Sequence, residues 1–273
     1  MRKRISPPSR SVISSEAWLK DTRAPLTTAR SEAKAPSSAT KPWSRTEIVF
    51  SVNCSGVTAT TSSLAGVHVG TSGWSYPSWK PDFYPAGTDA KEFLSFYAQR
   101  FSTVELNTTG YRLPAEEQFR RWADQTPAGF RFAPKLAGNR PRMVAEFGAR
   151  VRLLGDRLGP VRVQLISSRD EGMLELILGS LDPDFLVAFD LEHPTWDGVE
   201  PRLASAGAVR VNDLEHDAPF RYVRFRDPPY SDAELQDWAG RLRSVKEPLF
   251  AYFRHEDEPT APRYAERLLE LLR

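Results

Sequence analysis

The chain has little from which to build disulfide or metal chemistry, with one cysteine and four histidines among 273 residues. Cys54 alone closes no internal disulfide and supports no thiolate-rich metal site, which fits a reducing, cytoplasmic compartment. No two histidines stand at the one- or three-residue spacing of a metal pair, so no metal ligands are assigned and no cofactor is named. Long apolar runs are missing too: none approaches the roughly 18–20 residues of a membrane span, so no membrane partner is expected. The basic start, Met1 to Arg10, leads into no apolar signal core, and Ile48 to Val57 is interrupted by Ser51, Asn53 and Ser55. A P-loop, a dinucleotide-binding glycine fingerprint opening a helix and a serine nucleophile elbow are all absent, which takes weight from nucleotide-dependent and serine-hydrolase classes.

The formal charge of +2 is unevenly spread. Residues 1–65 hold 10 Lys and Arg against 4 Asp and Glu, about +6, which leaves the rest of the chain acidic by about −4. The basic character therefore belongs to the N-terminal segment and is a poor argument for a DNA-binding domain. That segment is rich in Ser, Thr, Pro and Ala without a helical or strand period, and too poor in apolar residues to offset its ordering entropy. Residues 1–65 are expected to be a disordered extension, or to lie upstream of the true start, with one folded domain over 66–273.

Eight short strand-like runs punctuate that domain, beginning near Val67, Thr103, Phe130, Val161, Phe185, Ala208, Phe220 and Pro248. Most are followed by an amphipathic helical pattern, over about Asp89–Arg100, Ala115–Asp124, Met143–Arg157, Glu171–Ser180, Val199–Ala206, Ser231–Ser244 and Ala261–Leu272. The cadence predicts an α/β fold, a TIM-barrel-like (β/α) barrel, with ligand chemistry at the carboxyl ends of its strands. Only about seven residues, Asp213 to Pro219, separate strands six and seven, too few for a crossover helix. The barrel is expected to be irregular there.

Several motifs carry a family resemblance: Gly70-Thr71-Ser72-Gly73-Trp74-Ser75-Tyr76 with Trp79 and Phe83-Tyr84-Pro85, and Val104-Glu105-Leu106-Asn107 with Tyr111-Arg112-Leu113-Pro114. Lys135, Leu158-Gly159-Pro160 with Gln164, and His193-Pro194-Thr195-Trp196 continue it. From Val67 onward the chain resembles the YecE-like family, a domain of unknown function catalogued under the number seventy-two. The resemblance implies a TIM-barrel-like fold and no established activity. Departures stand at Gly110, Glu192, Arg226-Asp227 and the stretch Ala137 to Arg142, and imply a different ligand or weaker binding wherever relatives hold ligand at those positions.

Polar residues fall at or just past the strand ends with unusual regularity. Glu105, alternating with apolar neighbours, is read either as an acid/base or as half of a structural ion pair with Lys135 or Arg224. His193, among Asp190 and Glu192, is the second catalytic candidate, against the plainer reading of a loop histidine bound to backbone. Asn107, Lys135, Gln164, Asp190 and Arg224 are candidate ligand contacts. Trp74 and Tyr111 are the aromatic ones, within a set that includes Tyr76, Trp79, Tyr84 and Trp196, of which at least half are expected to serve packing. Three functions stay open: an enzyme acting on a small anionic or sugar-like ligand, a non-catalytic binder of nucleic acid or of a phosphorylated ligand, and a metal-assisted phosphodiester hydrolase.

Overall fold

A computed structural model describes residues 66–136, 138 and 140–273. The extension expected over 1–65 lies outside the described residues. All eight expected strands form: β1 (Val67–Ser72), β2 (Thr103–Leu106), β3 (Arg131–Pro134), β4 (Val161–Leu165), β5 (Val187–Leu191), β6 (Ala208–Arg210), β7 (Arg221–Phe225) and β8 (Leu249–Phe253). Every ladder between them is parallel.

The expected closed ring is not one continuous ladder. The strands divide into a five-stranded sheet in the order β3-β2-β1-β8-β7 and a three-stranded sheet in the order β4-β5-β6. At the β3/β4 seam the backbone pairing among the described residues is limited to the isolated bridges Phe132–Leu158 and Lys135–Arg162. At the β6/β7 seam the Asn212 amide donates to the Tyr222 carbonyl at 2.9 Å. The physical reason at the second seam is the short connector already visible in the sequence: β6 has three residues, and no helix separates it from β7.

Among the described residues seven α-helices accompany the strands: α1 (Phe93–Tyr97), α2 (Glu116–Asp124), α3 (Pro141–Val151), α4 (Glu171–Ser180), α5 (Glu200–Ser205), α6 (Asp232–Arg243) and α7 (Thr260–Leu272). Two expected helices are shorter than their apolar pattern. The first begins as a 3-10 turn, Ala90–Glu92, capped reciprocally by Asp89 and Glu92. The third passes at Arg152 into a 3-10 segment that contains Gly155 at φ 55, a conformation open to glycine but not to a continuing helix. Helix α6 opens on the expected Ser231–Glu234 capping box.

Side-chain alternation sorts the strands into two faces. Val69, Val104, Phe132, Val163, Phe189, Val223 and Phe253 pack into the large core that includes helix residues such as Phe119, Leu174, Leu235 and Leu268. The opposite faces meet in a smaller cluster built from Ala133, Ala188, Val209, Tyr222, Phe250 and Tyr252, which draws on both sheets. Toward the carboxyl ends of the strands that inner face turns polar, with Ser72, Glu105, Arg162 and Asp190 all buried or nearly so. A face of this composition folds only where each charge finds a partner.

Candidate functional site

Five charged side chains form a line of alternating sign. Arg224 Nε lies 3.2 Å from Glu105 Oε1, and Arg162 Nε approaches the same oxygen to 3.3 Å. Arg162 Nη2 stands 3.7 Å from Asp190 Oδ2, and Arg226 Nη2 contacts Asp190 Oδ1. The line thus reads Arg224, Glu105, Arg162, Asp190, Arg226, with a cation at each end. Glu105 is fully buried, and Ser72 and Tyr222 each donate a hydroxyl hydrogen bond of 2.7 Å to its carboxylate. Burial alone raises its pKa, but Arg162 and Arg224, aided by Ser72 and Tyr222, bring it down to about 2. At Asp190 burial prevails against the same kind of partners, Arg162 and Arg226, and its pKa is raised.

The two end arginines line one open cleft of about 670 Å³. Lys135, Gln164, Tyr111 and His255 line it as well. Lys135 Nζ donates to Gln164 Oε1 at 2.5 Å, and Gln164 Nε2 donates to Glu192 Oε1 at 2.6 Å. Burial and the nearby Arg162 and Arg224 lower the pKa of Lys135. Asn107 donates to the Ser72 hydroxyl and borders the cleft. Four polar atoms of the line, Arg162 Nε and Nη1, Asp190 Oδ2 and Arg226 Nε, are buried without a hydrogen-bond partner among the described residues. Leaving such groups unsatisfied costs roughly 1–3 kcal/mol each.

The structure brings Glu105, Asn107, Lys135, Gln164, Asp190 and Arg224 to one end of the strands, and leaves His193 and Trp74 outside the cleft. His193 precedes a 3-10 turn, Pro194–Trp196, where its Nδ1 meets the Thr195 hydroxyl at 2.9 Å and accepts from the Thr195 amide at 3.2 Å. Its imidazole therefore serves the loop, because the proline after it fixes a turn that aims the ring at its own backbone. Trp74 packs edge-on against Trp122 and Phe132 and lines a neighbouring hollow of about 480 Å³, which Glu105 and Asn107 also line. The suggested pairing of Glu105 with Lys135 gives way to Arg162, a residue the sequence reading overlooked. Its signal was an arginine in the alternating run Val161-Arg162-Val163-Gln164, on the same strand face as Gln164. His255 lies just past β8; its ring stacks on Tyr76 at 4.6 Å and burial, with Arg254 and Arg224, lowers its pKa.

A family model described as "Protein of unknown function DUF72" matches residues 68–273. This chain belongs to the DUF72 family. The chain is 31% identical over 140 residues to the UPF0759 protein YecE of Escherichia coli K12, an alignment covering 47% of this chain. It spans about half, 49%, of that curated relative. Two crystal structures of a DUF72 family protein from Enterococcus faecalis V583 superpose with TM-scores of 0.60 and 0.62 at 16% and 17% identity. Each covers 76% of this chain, and 97% and 95% of the other. At that identity the likeness concerns the fold alone. Among the described residues no helix is long and apolar enough to cross a membrane.

Proposed function

We propose that the two sheets act as the arcs of a TIM-barrel-like ring, and that the cleft at its carboxyl end captures a small anionic ligand, a phosphate- or carboxylate-bearing molecule, on which the protein acts as an enzyme. The observation that carries this reading is the cation at each end of the charge line. An anion seated between Arg224 and Arg226 continues the alternation at both ends at once, with Lys135 adding a third positive group at the rim. Guanidinium groups suit this task, since they stay charged and present planar pairs of donors to an oxyanion. The carboxylates beneath them hold the arginines in place without cancelling them: three guanidiniums face two carboxylates.

The roles in this reading differ from those first drawn from the sequence. Glu105, fully buried and ionised against two arginines, orients Arg224 and Arg162 and moves no proton at neutral pH. His255 is the imidazole that lines the cleft, and its lowered pKa supports a neutral ring able to take a proton from a bound ligand. The nucleic-acid reading loses support from the acidic balance outside residues 1–65. The metal-assisted reading lacks a ligand set, since among the described residues no three His, Cys, Asp or Glu side chains gather as one.

The test is calorimetric titration of the full chain with inorganic phosphate and with small mono- and dicarboxylates at low ionic strength. Saturable binding is expected in the wild type and is expected to weaken about tenfold or more in Arg224→Ala and Arg226→Ala, the scale of a charge-assisted contact. Absence of binding to every anion, or equal binding by the variants, overturns the proposal.

A further inference from the structure

We infer that the ligand of this cleft carries a planar aromatic ring beside its anionic group, and that Tyr111 is the platform on which the ring stacks. The inference rests on the anion-binding reading above and extends it from charge to shape. Of the aromatic residues in the loops that follow the strands, Trp79, Phe83, Tyr84 and Trp196 are buried, and Trp74, Tyr76 and Tyr230 are half-buried against other rings. Tyr111 alone stands out into solvent, 84% exposed, and it lines the same cleft as Arg224 and Arg226. Among the described residues no other aromatic ring packs against it.

Its backbone is nevertheless fixed. The Tyr111 amide closes the 3-10 turn Thr108–Gly110 by donating to the Thr108 carbonyl at 3.1 Å. The hydroxyl of Thr109 lies 2.7 Å from the Leu106 carbonyl and 2.8 Å from the Lys135 carbonyl, which ties the turn to the ends of both neighbouring strands. Lys135 Nζ sits 5.1 Å from the centre of the Tyr111 ring, and is itself held by Gln164. Gly110 is what lets this lysine through: a Cβ there would fall 2.6 Å from Lys135 Cδ. A tyrosine whose backbone is held, with an anchored cation beside its ring and the rest of the ring open, has only two side-chain torsions to order when a second ring settles on it. The cation beneath also draws the anionic part of such a ligand to the side of the cleft where the ring is received.

The experiment compares matched ligands on the full chain by calorimetry: adenosine 5′-monophosphate against ribose 5-phosphate, and phenyl phosphate against cyclohexyl phosphate. At least one aromatic member is expected to bind about tenfold more tightly than its control, the lower part of the range for a stacked base. That advantage is expected to persist in Tyr111→Phe and to fall below about threefold in Tyr111→Ala, with phosphate binding itself retained. If all four bind and neither aromatic exceeds its partner, or if Tyr111→Ala keeps the full advantage, the ring inference fails while the anion site stands. If none of the four binds, the ring inference fails, and the anion reading fails with it when inorganic phosphate and the carboxylates do not bind either.

Discussion

Arg162 Nε meets Glu105 Oε1 at 3.3 Å across a boundary between sheets, since Arg162 belongs to β4 of the three-stranded sheet and Glu105 to β2 of the five-stranded one. Arg226, which follows β7 of the five-stranded sheet, likewise reaches Asp190 on β5 of the three-stranded one. Where backbone ladders stop, buried ions span the gap. Isolated buried pairs add little net stability, because desolvation offsets most of their attraction, but breaking one partner out of such a set is costly. The charge line therefore has two consequences that follow from the same geometry: it holds the sheets in register, and it leaves unspent positive charge at the cleft.

Glu105→Gln removes the fully buried carboxylate that Arg162 and Arg224 share. Urea unfolding is expected to show a loss of about 3–5 kcal/mol, the usual cost of leaving buried charge unpaired. The pH dependence has a definite sign. Glu105 ionises in the folded chain at about 2 against an ordinary 4.5, so its contribution is complete above about 4.5 and is lost as pH falls toward 2. The variant should be less stable at neutral pH and show a shallower loss across that acid window; a steeper loss in the variant would contradict the assignment.

Much of this arrangement was legible in the sequence, and the parts that were not share a cause. Apolar alternation marks strands well, so β4 lies where the pattern expects it, and the Ser231–Glu234 signature locates the start of α6. Strand five was expected to begin near Phe185 and runs instead over Val187–Leu191. The displacement matters, because it moves Asp190 from a loop into the strand, paired in register with Gln164 and buried. An apolarity pattern ends at a charge, whereas the fold continues through it when arginines wait on the facing strand. The same blindness hid Arg162. Closure of the ring was overestimated because strand count does not reveal which neighbours complete their hydrogen bonds.

Gly110→Ala tests the passage of Lys135. The backbone there has no left-handed φ, and the added methyl meets only the flexible lysine stem, at 2.6 Å from Cδ and 2.9 Å from Cγ. Stability is expected to change by less than about 0.5 kcal/mol, as for most substitutions that meet no rigid neighbour. Lys135 should leave the Tyr111 ring, and affinity for phosphate should fall by about threefold to tenfold, the scale of one cation–π-anchored charge. Unchanged affinity in a normally folded variant would show that Lys135 plays no part in capture.

His68 supplies a pH effect far from the cleft. Its ring stacks on Phe250 at 4.8 Å, and burial, with Arg131 nearby, lowers its pKa from 6.5 to about 4. The unfolded chain therefore takes up a proton below about pH 6.5 that the folded chain refuses until about 4. Stability from this source is complete above 6.5 and declines as pH falls through that window. His68→Phe keeps a stacking ring without the titration, so its Tm should fall less than that of the wild type between pH 7 and pH 4. Parallel Tm profiles would remove His68 from the account.

Asn212 joins the two sheets at the seam where the connector is shortest. It adopts φ 66, a left-handed conformation that asparagine tolerates better than most residues. Its side-chain oxygen accepts from the Arg224 amide at 2.6 Å, and its side-chain nitrogen donates to the Arg224 carbonyl at 3.1 Å. Asn212→Gly keeps the backbone conformation and loses both bonds, an expected cost of about 1–2 kcal/mol. Asn212→Ala loses the bonds and adds the left-handed penalty, for about 1–2 kcal/mol more. Because the same two bonds fix the backbone from which Arg224 projects, both variants should also bind phosphate more weakly than the wild type. Denaturant titration checks the order wild type, Gly, Ala. An alanine variant as stable as the glycine one would mean that the left-handed turn relaxes, and that the seam is held by the buried ions alone.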